Sequence, residues 1–381
     1  MGTAMSKKKI RGFFIMKKIV GTIAAIALAA SSAFAGVNVG MGFNRAIFTP
    51  FAMGTNSEPE MVTCVSWGGA PRVGVSFSAA GEQIGVVGDI KLDGNAVAVN
   101  DNAYIWVKPA SWLKVQFGQS FEDSLRGGQC FGTWDWLRQW GLMTGDDLTF
   151  TRLADVRGSM GGDESNALVG AIIALTPIEG LNINVGLKTG TVGDGTDVFK
   201  PSYASRSAEN VFKNIQVQAG YTIADVAQIK AQWIGMGETG IINAAVALKA
   251  VENMNLEVGA FFNTAANSDV VVAATWGMNF DAVNVKANAK VNINQTVALN
   301  VGACVGFDLG NGLGLAIDAR FAQKFAEDEK AAFGFGAYLD KWLGNGSLGI
   351  GFEGVTNASI AGVSGSGDFI MAVPVRVQCF F

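Results

Sequence analysis

Histidine is absent from this 381-residue sequence, and cysteine is scarce. Serine-hydrolase chemistry depends on an imidazole base, and zinc sites of the Cys/His type would lose half of their ligands. The cysteines form no C-x-x-C pair, and no pair of carboxylates stands out as an acid–base couple. We therefore predict that the protein is not an enzyme and holds no metal ion or other cofactor. The four cysteines are Cys64, Cys130, Cys304 and Cys379.

Charge and long apolar segments are also in short supply. Charged residues make up 16% of the chain, against about 25% in an average soluble protein. After residue 35, no apolar run reaches the roughly 18 to 20 residues that a membrane-spanning helix needs. The many apolar residues must therefore be accommodated by something other than membrane helices.

The N-terminal segment has the layout of a secretory signal peptide. Two lysines at 17 and 18 precede an apolar run over 19–30, and Ala-Phe-Ala at 33–35 is a small-residue cleavage site. We predict that 1–35 is a signal peptide with an upstream basic extension and that 36–381 is one domain; an uncleaved anchor is the alternative. Loss of the lysines and arginines of 1–35 leaves 36–381 more acidic than the formal −4 of the whole chain, so nucleic acid is not an expected partner.

Alternation with a period of two is abundant in the rest of the sequence. Apolar residues occupy every second position in segments such as LNINVGL (181–187) and VNVKANAKV (283–291), with small or polar residues between them. This pattern indicates β-strands and is typical of an antiparallel sheet with one apolar and one wet face. We predict an all-β fold.

The lengths of the connections distinguish a barrel from a soluble sandwich, which would show the same alternation. Counted from 36, every other connection is short, and several of the intervening ones are long. This asymmetry matches a transmembrane antiparallel β-barrel, for which we count 18 strands, or 16 if one pair is merged. The long connections are 49–71, about 120–165, 190–212, 322–330 and 355–367, and the short ones are 81–82, 108–111, 177–180, 224–225 and 281–282.

Large aromatic residues on the apolar parity fall near the predicted strand ends. Rings at both ends of the strands match the girdles with which membrane barrels contact the lipid headgroups. The predicted girdle on the side of the short turns is Tyr221, Trp276, Phe280 and Phe381, and that on the other side is Phe43, Trp233, Phe262 and Phe321.

The final segment, VPVRVQCFF, alternates strictly and ends on an aromatic residue. This ending resembles the C-terminal signal of Gram-negative outer-membrane barrels, with Val373, Val375, Val377 and Phe381 as its residues. Over 36–381 the chain resembles the general porin type. Within the segment, Pro374 lacks an amide donor, so we expect a local break in the pairing there.

The resemblance implies a location in the outer membrane of a Gram-negative-type bacterium and contact with lipid and with the barrel-assembly machinery. It implies passive diffusion of small hydrophilic solutes, and a homotrimer is one assembly that it allows. The alternative is a surface-structural or adhesive barrel that acts through its external loops.

The polar parity of the strands carries more basic than acidic residues. Barrels of 16 to 18 strands enclose an aqueous channel, and rings of Lys and Arg raise the local anion concentration. We therefore predict a weakly anion-favouring pore; the alternative is that Lys and Arg are simply the charges that strands tolerate. The predicted pore-lining residues are Arg72, Lys91, Lys114, Lys188, Lys230, Lys249, Lys286, Lys290, Asp318, Arg320 and Arg376.

The longest connection, about 120–165, follows the fifth predicted strand. In the general porins the loop at this place folds inward and narrows the channel, so the resemblance implies a constriction here; an outward surface loop is the alternative. Cys130 in this loop and Cys64 in another could form a disulfide or remain free. The predicted constriction residues are Glu122, Asp123, Arg126, Trp134, Asp135, Trp136, Arg138, Trp140, Asp146 and Asp147.

Overall fold

A computed structural model describes most of the predicted barrel domain. The predicted signal peptide lies outside the described residues, as do most of the longest connection and the last two residues. The described ranges are 37–41, 44–60, 64–65, 73–93, 96–120, 143–144, 168–190, 207–264, 270–294, 296–360, 362–364 and 368–379.

The described chain is almost entirely β-structure. The first strands are β1 (Val37–Met41), β2 (Asn44–Gly54), β3 (Cys64–Val65), β4 (Val73–Ala80), β5 (Ile84–Asp93), β6 (Ala96–Ala110), β7 (Leu113–Ser120) and β8 (Met143–Thr144). They are followed by β9 (Leu168–Leu175), β10 (Leu181–Gly190), β11 (Ile215–Ile223), β12 (Ala227–Met236), β13 (Thr239–Leu248), β14 (Met254–Asn263) and β15 (Val270–Phe280). The last are β16 (Val283–Ile293), β17 (Val297–Asp308), β18 (Leu313–Lys324), β19 (Ala332–Trp342), β20 (Gly346–Thr356), β21 (Ser359–Ile360) and β22 (Phe369–Cys379).

The long strands form one antiparallel sheet in which sequence neighbours pair. The ladder begins with β1 on β4, continues through β5, β6, β7 and β9 to β20, and ends with β20 on β22 and β22 on β2. Its two ends, β1 and β2, are successive segments of the chain, and the described pairings do not form an unbroken ring. With β1 and β2 counted as halves of one strand, and the two-residue strands β3, β8 and β21 left aside, the sheet has eighteen strands. The prediction of 18 is confirmed over the alternative of 16.

The two rims of the sheet differ as predicted. At one rim, here the short-turn rim, the eight connections are two to five residues long, as at 111–112 and 281–282. The other, the long-loop rim, carries the connections 55–72, 121–167, 191–214 and 357–368, together with short ones.

One predicted connection was placed wrongly. Residues 49–54 do not begin a loop but complete β2, which pairs with β22 as far as Gly54 opposite Ile370. Pro50 obscured this strand in the sequence because it supplies no ladder donor. The pairing accommodates it at an irregularity, where Phe48 lies opposite Val375 and Phe51 opposite Val373.

The same irregularity confirms the local break predicted at Pro374. On the other side of β22, the register passes from Ile350 opposite Val375 directly to Glu353 opposite Ala372. Pro374 therefore lies at an interruption of both of its ladders, as expected for a residue without an amide hydrogen in a sheet interior.

The sheet exposes its apolar face and buries its polar face. In β12, Ile229 and Ala231 are exposed, whereas Lys230 and Gln232 are buried, and the alternation continues into the neighbouring strands. A soluble protein buries apolar side chains preferentially. The reverse arrangement, apolar outside and polar inside, is the pattern of barrels that cross a membrane.

Aromatic residues border the exposed apolar face. Tyr221 and Phe280 are exposed next to the short-turn rim, and Phe262 is exposed next to the long-loop rim. These positions agree with the predicted girdles, whereas Phe43 and Phe381 lie outside the described residues.

Near the long-loop rim, part of the inner face is covered by apolar residues. There Ile360 of β21 packs against inward side chains of the wall, and β21 pairs with β8, a segment of the longest connection. We call this group the inner apolar cluster; its buried members are Ile47, Ala52, Ala322, Ala332, Tyr338, Val355, Ile360, Ile370 and Ala372.

A single short helix, α1 (Ala208–Lys213), occurs in the described part of the chain. Ser207 caps it by accepting a hydrogen bond from the amide of Asn210 at 3.2 Å. Hydrogen bonds with Glu238 and then Glu209 raise the pKa of Lys213 above its usual value. No helix among the described residues is long and apolar enough to cross a membrane.

Candidate functional site: the inner wall of the barrel

The inner face of β10 to β13 is lined by buried amide side chains, and we call it the amide sector. Asn243 donates to Gln232 across β12 and β13 at 3.0 Å, and Asn184 donates to Gln218 across β10 and β11 at 3.5 Å. These bonds follow from the register, which places Asn243 opposite Gln232 and Asn184 opposite Gln218. Each amide is both donor and acceptor, so directly opposed amides can satisfy each other without net charge.

One ion pair lies beside the amide sector. Lys230 of β12 and Glu257 of β14 reach each other over β13, with Nζ and Oε2 separated by 3.3 Å. Their side chains are 3% and 0% exposed, so the pair is shielded from bulk water. Burying one of these charges without the other would be strongly unfavourable.

A second region, the inner face of β18, β19, β20 and β22, carries most of the described buried charge, and we call it the charged sector. Arg320 donates to Asp318, two residues earlier on the same face of β18, at 3.0 Å. Arg376 of β22 donates to Asp340 of β19 at 2.7 Å. Gly349 lies between them in the register, and its missing side chain lets the guanidinium cross β20.

Tyr338 and Glu353 occupy the centre of the charged sector. The Tyr338 hydroxyl donates to Oε1 of Glu353 at 2.7 Å, and both side chains are almost fully buried. The tyrosine ring lies over two glycines: a Cβ on Gly336 would come within 2.3 Å of the hydroxyl, and one on Gly351 within 2.7 Å of the ring. These glycines are needed for close approach rather than for an unusual backbone conformation.

A cavity of about 480 Å³ opens on the inner face next to the charged sector, towards the short-turn rim. Gly314 and Ala316 leave part of its base without bulky side chains, and the amide of Asn284 lies over Gly306. We call this space the wall cavity; the polar and aromatic side chains that surround it are Asn284, Lys286, Asp308, Tyr338, Asp340, Trp342 and Arg376.

The structure places most of the described pore-lining candidates on the inner wall. Lys230, Asp318, Arg320 and Arg376 are buried there. The side chains of Lys114, Lys188, Lys286 and Lys290 are half-buried and share the parity of the inward residues. Their role in a pore remains a prediction.

Lys249 was also predicted to line the pore, and that role remains a prediction. It lies just after β13, exposed, in the turn that leads to β14, where its amide donates to the carbonyl of Val226 at 2.9 Å. Lys249 continues the parity of β13 one residue beyond the end of the strand at Leu248, so parity alone could not show that the strand had stopped. Lys91 belongs to β5, where its backbone pairs with Gly74 of β4 and Ala98 of β6.

Several predicted site residues lie outside the described part of the chain. They include Arg72, Phe381 and Cys130, together with all the predicted constriction residues from Glu122 to Asp147. Val373, Val375 and Val377 are described and lie on the outward parity of β22, with Val377 exposed. Cys304 is buried on the inner face and Cys379 is half-buried on the outer parity, and neither forms a disulfide.

Sequence reasoning missed several residues of the inner wall. Tyr338, Asp340 and Trp342 share the inward parity of Gly334 and Gly336 in the segment AFGFGAYLDKW. This alternation in the sequence could have identified them as inward-facing. The wall aromatics Tyr104 and Trp106 were also missed; Nζ of Lys114 lies 6.0 Å and 5.6 Å from their ring centroids, within the range of cation–π attraction.

The described residues contain no group of three or more acidic, histidine or cysteine side chains that could hold a metal ion. The chemistry that the wall offers is therefore hydrogen bonding, paired charge and aromatic contact.

No family model and no curated protein matches this sequence. Solved structures match its fold. OccAB1 of Acinetobacter baumannii aligns with a TM-score of 0.56 and 11% identity over 91% of this chain and 96% of that chain. OccK5 (OpdH) of Pseudomonas aeruginosa gives 0.52 and 10% over 91% and 99%. An anion-selective porin from Comamonas acidovorans gives 0.51 and 11% over 91% and 100%.

At such low identities the similarity establishes the fold alone. The protein has the all-β, 18-stranded antiparallel fold of the outer-membrane porin barrels of Gram-negative bacteria. Its apolar outer face and polar inner face agree with that class.

Proposed function

We propose that this protein lies in the outer membrane and is a passive diffusion channel for small hydrophilic solutes. The observation that carries the proposal is the polar, charged inner face opposite an exposed apolar face on the same strands. Buried charges such as those of Glu257 and Asp318 are retained only where partners or water stabilise them. A lumen that admits water and solutes accounts for both faces.

Conductance in planar lipid bilayers tests this proposal. We expect the refolded protein to produce discrete current steps in KCl, because an 18-stranded wall is wide enough for an aqueous path. Folded protein that inserts but gives no steps would contradict the proposal and would favour a surface-structural or adhesive role for the external loops.

We further propose that any anion preference is weak. Three of the basic residues expected to attract anions have carboxylate neighbours: Lys230 has Glu257, Arg320 has Asp318, and Arg376 has Asp340. Such pairing cancels much of the field that rings of Lys and Arg would produce. The reversal potential in a KCl gradient measures this property, and a pronounced preference for either anions or cations would contradict it.

The longest connection is proposed to narrow the channel. Its segment β8 pairs with β21, and Ile360 of β21 packs on the inner apolar cluster. The connection starts and ends on β7 and β9, whereas the cluster lies on β18 to β22 and β2, so the loop extends from one part of the wall towards another. This geometry supports an inward path.

Deletion of 131–142 tests the constriction. Removing these residues, which include Trp134, Trp136 and Trp140, should increase the single-channel conductance because the narrowest section would widen. A deletion of similar length in the connection 191–214 is the control and should change conductance less. Equal single-channel conductance in the protein lacking 131–142 and in the unmodified protein would count against a constriction.

We also propose that Val373, Val375, Val377 and Phe381 form the signal read by the barrel-assembly machinery. The outward valines of β22 support this assignment. Phe381→Ser should lower the amount of folded barrel in the outer membrane of cells, whereas refolding in detergent should be unaffected.

A homotrimer also remains a prediction, testable by the mass of the detergent-solubilised protein.

A further inference from the structure

The wall cavity has the size of a small-molecule site. Its volume of about 480 Å³ falls within the range of about 300–1,000 Å³ that is typical of ligand pockets. The floor is formed where Gly306 of β17 and Gly314 of β18 share the inward parity. A Cβ on Gly314 would meet a single neighbouring atom within 4 Å, the carbonyl oxygen of Phe307 at 3.7 Å, so the space above this glycine is open.

An aromatic side chain forms one side of the cavity. Trp342 lies on the inward parity of β19 together with Tyr338 and Asp340, yet it is 48% exposed. A large ring that is about half exposed on this parity can gain apolar contact from a ligand, and its flat surface fits the C–H face of a pyranose.

The charges around the cavity are balanced. Arg376 donates to Asp340 at 2.7 Å, and Lys286 and Asp308 line the same space. An anionic solute would gain from two cations but would also face two carboxylates, and a cationic solute would meet the opposite problem. A neutral solute with many hydroxyl groups can use both sets, because each hydroxyl donates to a carboxylate and accepts from a cation.

We propose that the wall cavity is a binding subsite for a neutral, polyhydroxylated solute of sugar size. This inference rests on the proposed channel function for its physiological meaning, because the cavity opens on the lumen. Trp342 supplies the stacking surface, and the Arg376–Asp340 pair, with Lys286, supplies hydrogen bonds.

The test compares three matched probes on the folded protein in detergent: glucose, glucuronate and glucosamine, which are neutral, anionic and cationic. Binding is measured by isothermal titration calorimetry and by tryptophan fluorescence, and neither readout requires conduction. We expect glucose to bind more tightly than either charged probe. Tighter binding of glucuronate or glucosamine, or no binding of any probe by folded protein, would overturn the proposal.

Two variants and one control locate the site. Gly314→Leu should fill the cavity, and Trp342→Ala should remove the stacking surface, each weakening glucose binding on the order of tenfold, which corresponds to about 1.4 kcal/mol. Trp276→Ala is the control because Trp276 lies on the outward parity of β15. Circular dichroism verifies that each variant is folded, and wild-type affinity in both cavity variants would overturn the assignment.

Bilayer recording separates this proposal from the channel function. If glucose binds and the protein conducts, glucose should also reduce the ionic current, and Gly314→Leu should abolish that reduction. If glucose binds but no current flows, the subsite stands and the channel function fails. If current flows but no probe binds, the channel stands and the subsite fails.

Discussion

The amide sector and the charged sector stabilise buried polar side chains in different ways. Both bury polar side chains on the inner face of one sheet, but β10 to β13 pair amides directly, whereas β18 to β22 pair full charges. Opposed amides such as Gln232 and Asn243 need only correct register. Ion pairs such as Arg376 with Asp340 need in addition a glycine, Gly349, over which a long side chain can pass. The first region therefore buries no net charge, whereas the second holds its charges as opposed pairs.

The largest effect is expected from breaking an ion pair of the charged sector on one side. Arg320→Met removes the guanidinium that lies 3.0 Å from Asp318, while that carboxylate stays almost fully buried. We expect a loss of unfolding free energy of about 3–5 kcal/mol, measured by denaturant titration of the barrel in lipid vesicles. The double variant Arg320→Met with Asp318→Leu is the control and should recover much of the loss. Equal midpoints for Arg320→Met and wild type would show that lumen water replaces the pair.

The next effect tests the glycines of the charged sector. Gly336→Ala places a Cβ within 2.3 Å of the Tyr338 hydroxyl, so the ring must move and its hydrogen bond to Glu353 weakens. We expect a loss of about 1–3 kcal/mol from overpacking, measured in the same titration. Gly314→Ala, where the added Cβ meets open space, should be close to neutral; similar losses in the two variants would contradict the steric explanation.

A smaller loss is expected in the amide sector. Gln232→Leu removes the acceptor for the Asn243 amide at 3.0 Å and leaves a buried donor. The expected cost is about 1–3 kcal/mol, towards the lower end because no charge is exposed to an apolar environment. The same denaturant titration measures it. A loss as large as that of Arg320→Met would remove the distinction between the sectors.

The smallest effect concerns ion selectivity. Arg376→Gln removes one positive charge beside the lumen and leaves Asp340, so the reversal potential in a KCl gradient should shift towards cation preference. Gln216→Ala, in the amide sector, is the matched control and should leave the reversal potential unchanged. Equal shifts of the reversal potential in the two variants would contradict the proposed difference between the charged sector and the amide sector.

Much of the fold was predictable because period-two alternation directly encodes which side chains share a face. The parity of Lys230, Asp318 and Arg320 was sufficient to place them on the inner wall. The ends of the strands were harder to predict. Lys249 continues the parity of β13 but lies beyond its end, and Pro50 interrupts the pattern although β2 continues past it. Local sequence does not record where a neighbouring strand stops pairing.

Partners across the wall could not be predicted from parity. The contact of Arg376 with Asp340 joins residues 36 positions apart, and that of Lys230 with Glu257 spans an intervening strand. Both depend on register, and a shift of one residue would exchange the faces of a strand. Tyr338 could have been recognised as inward, but its position over two glycines required coordinates.

By itself, the sequence determined that strands would form, that one face would be apolar and the other polar, and that one rim would have short turns. These properties follow from side-chain chemistry repeated every second residue. The tertiary structure alone decided which buried charges would meet, where glycines would open a cavity, and that β2 would pair with β22. Those outcomes depend on the register between strands distant in sequence, which alternation leaves undetermined.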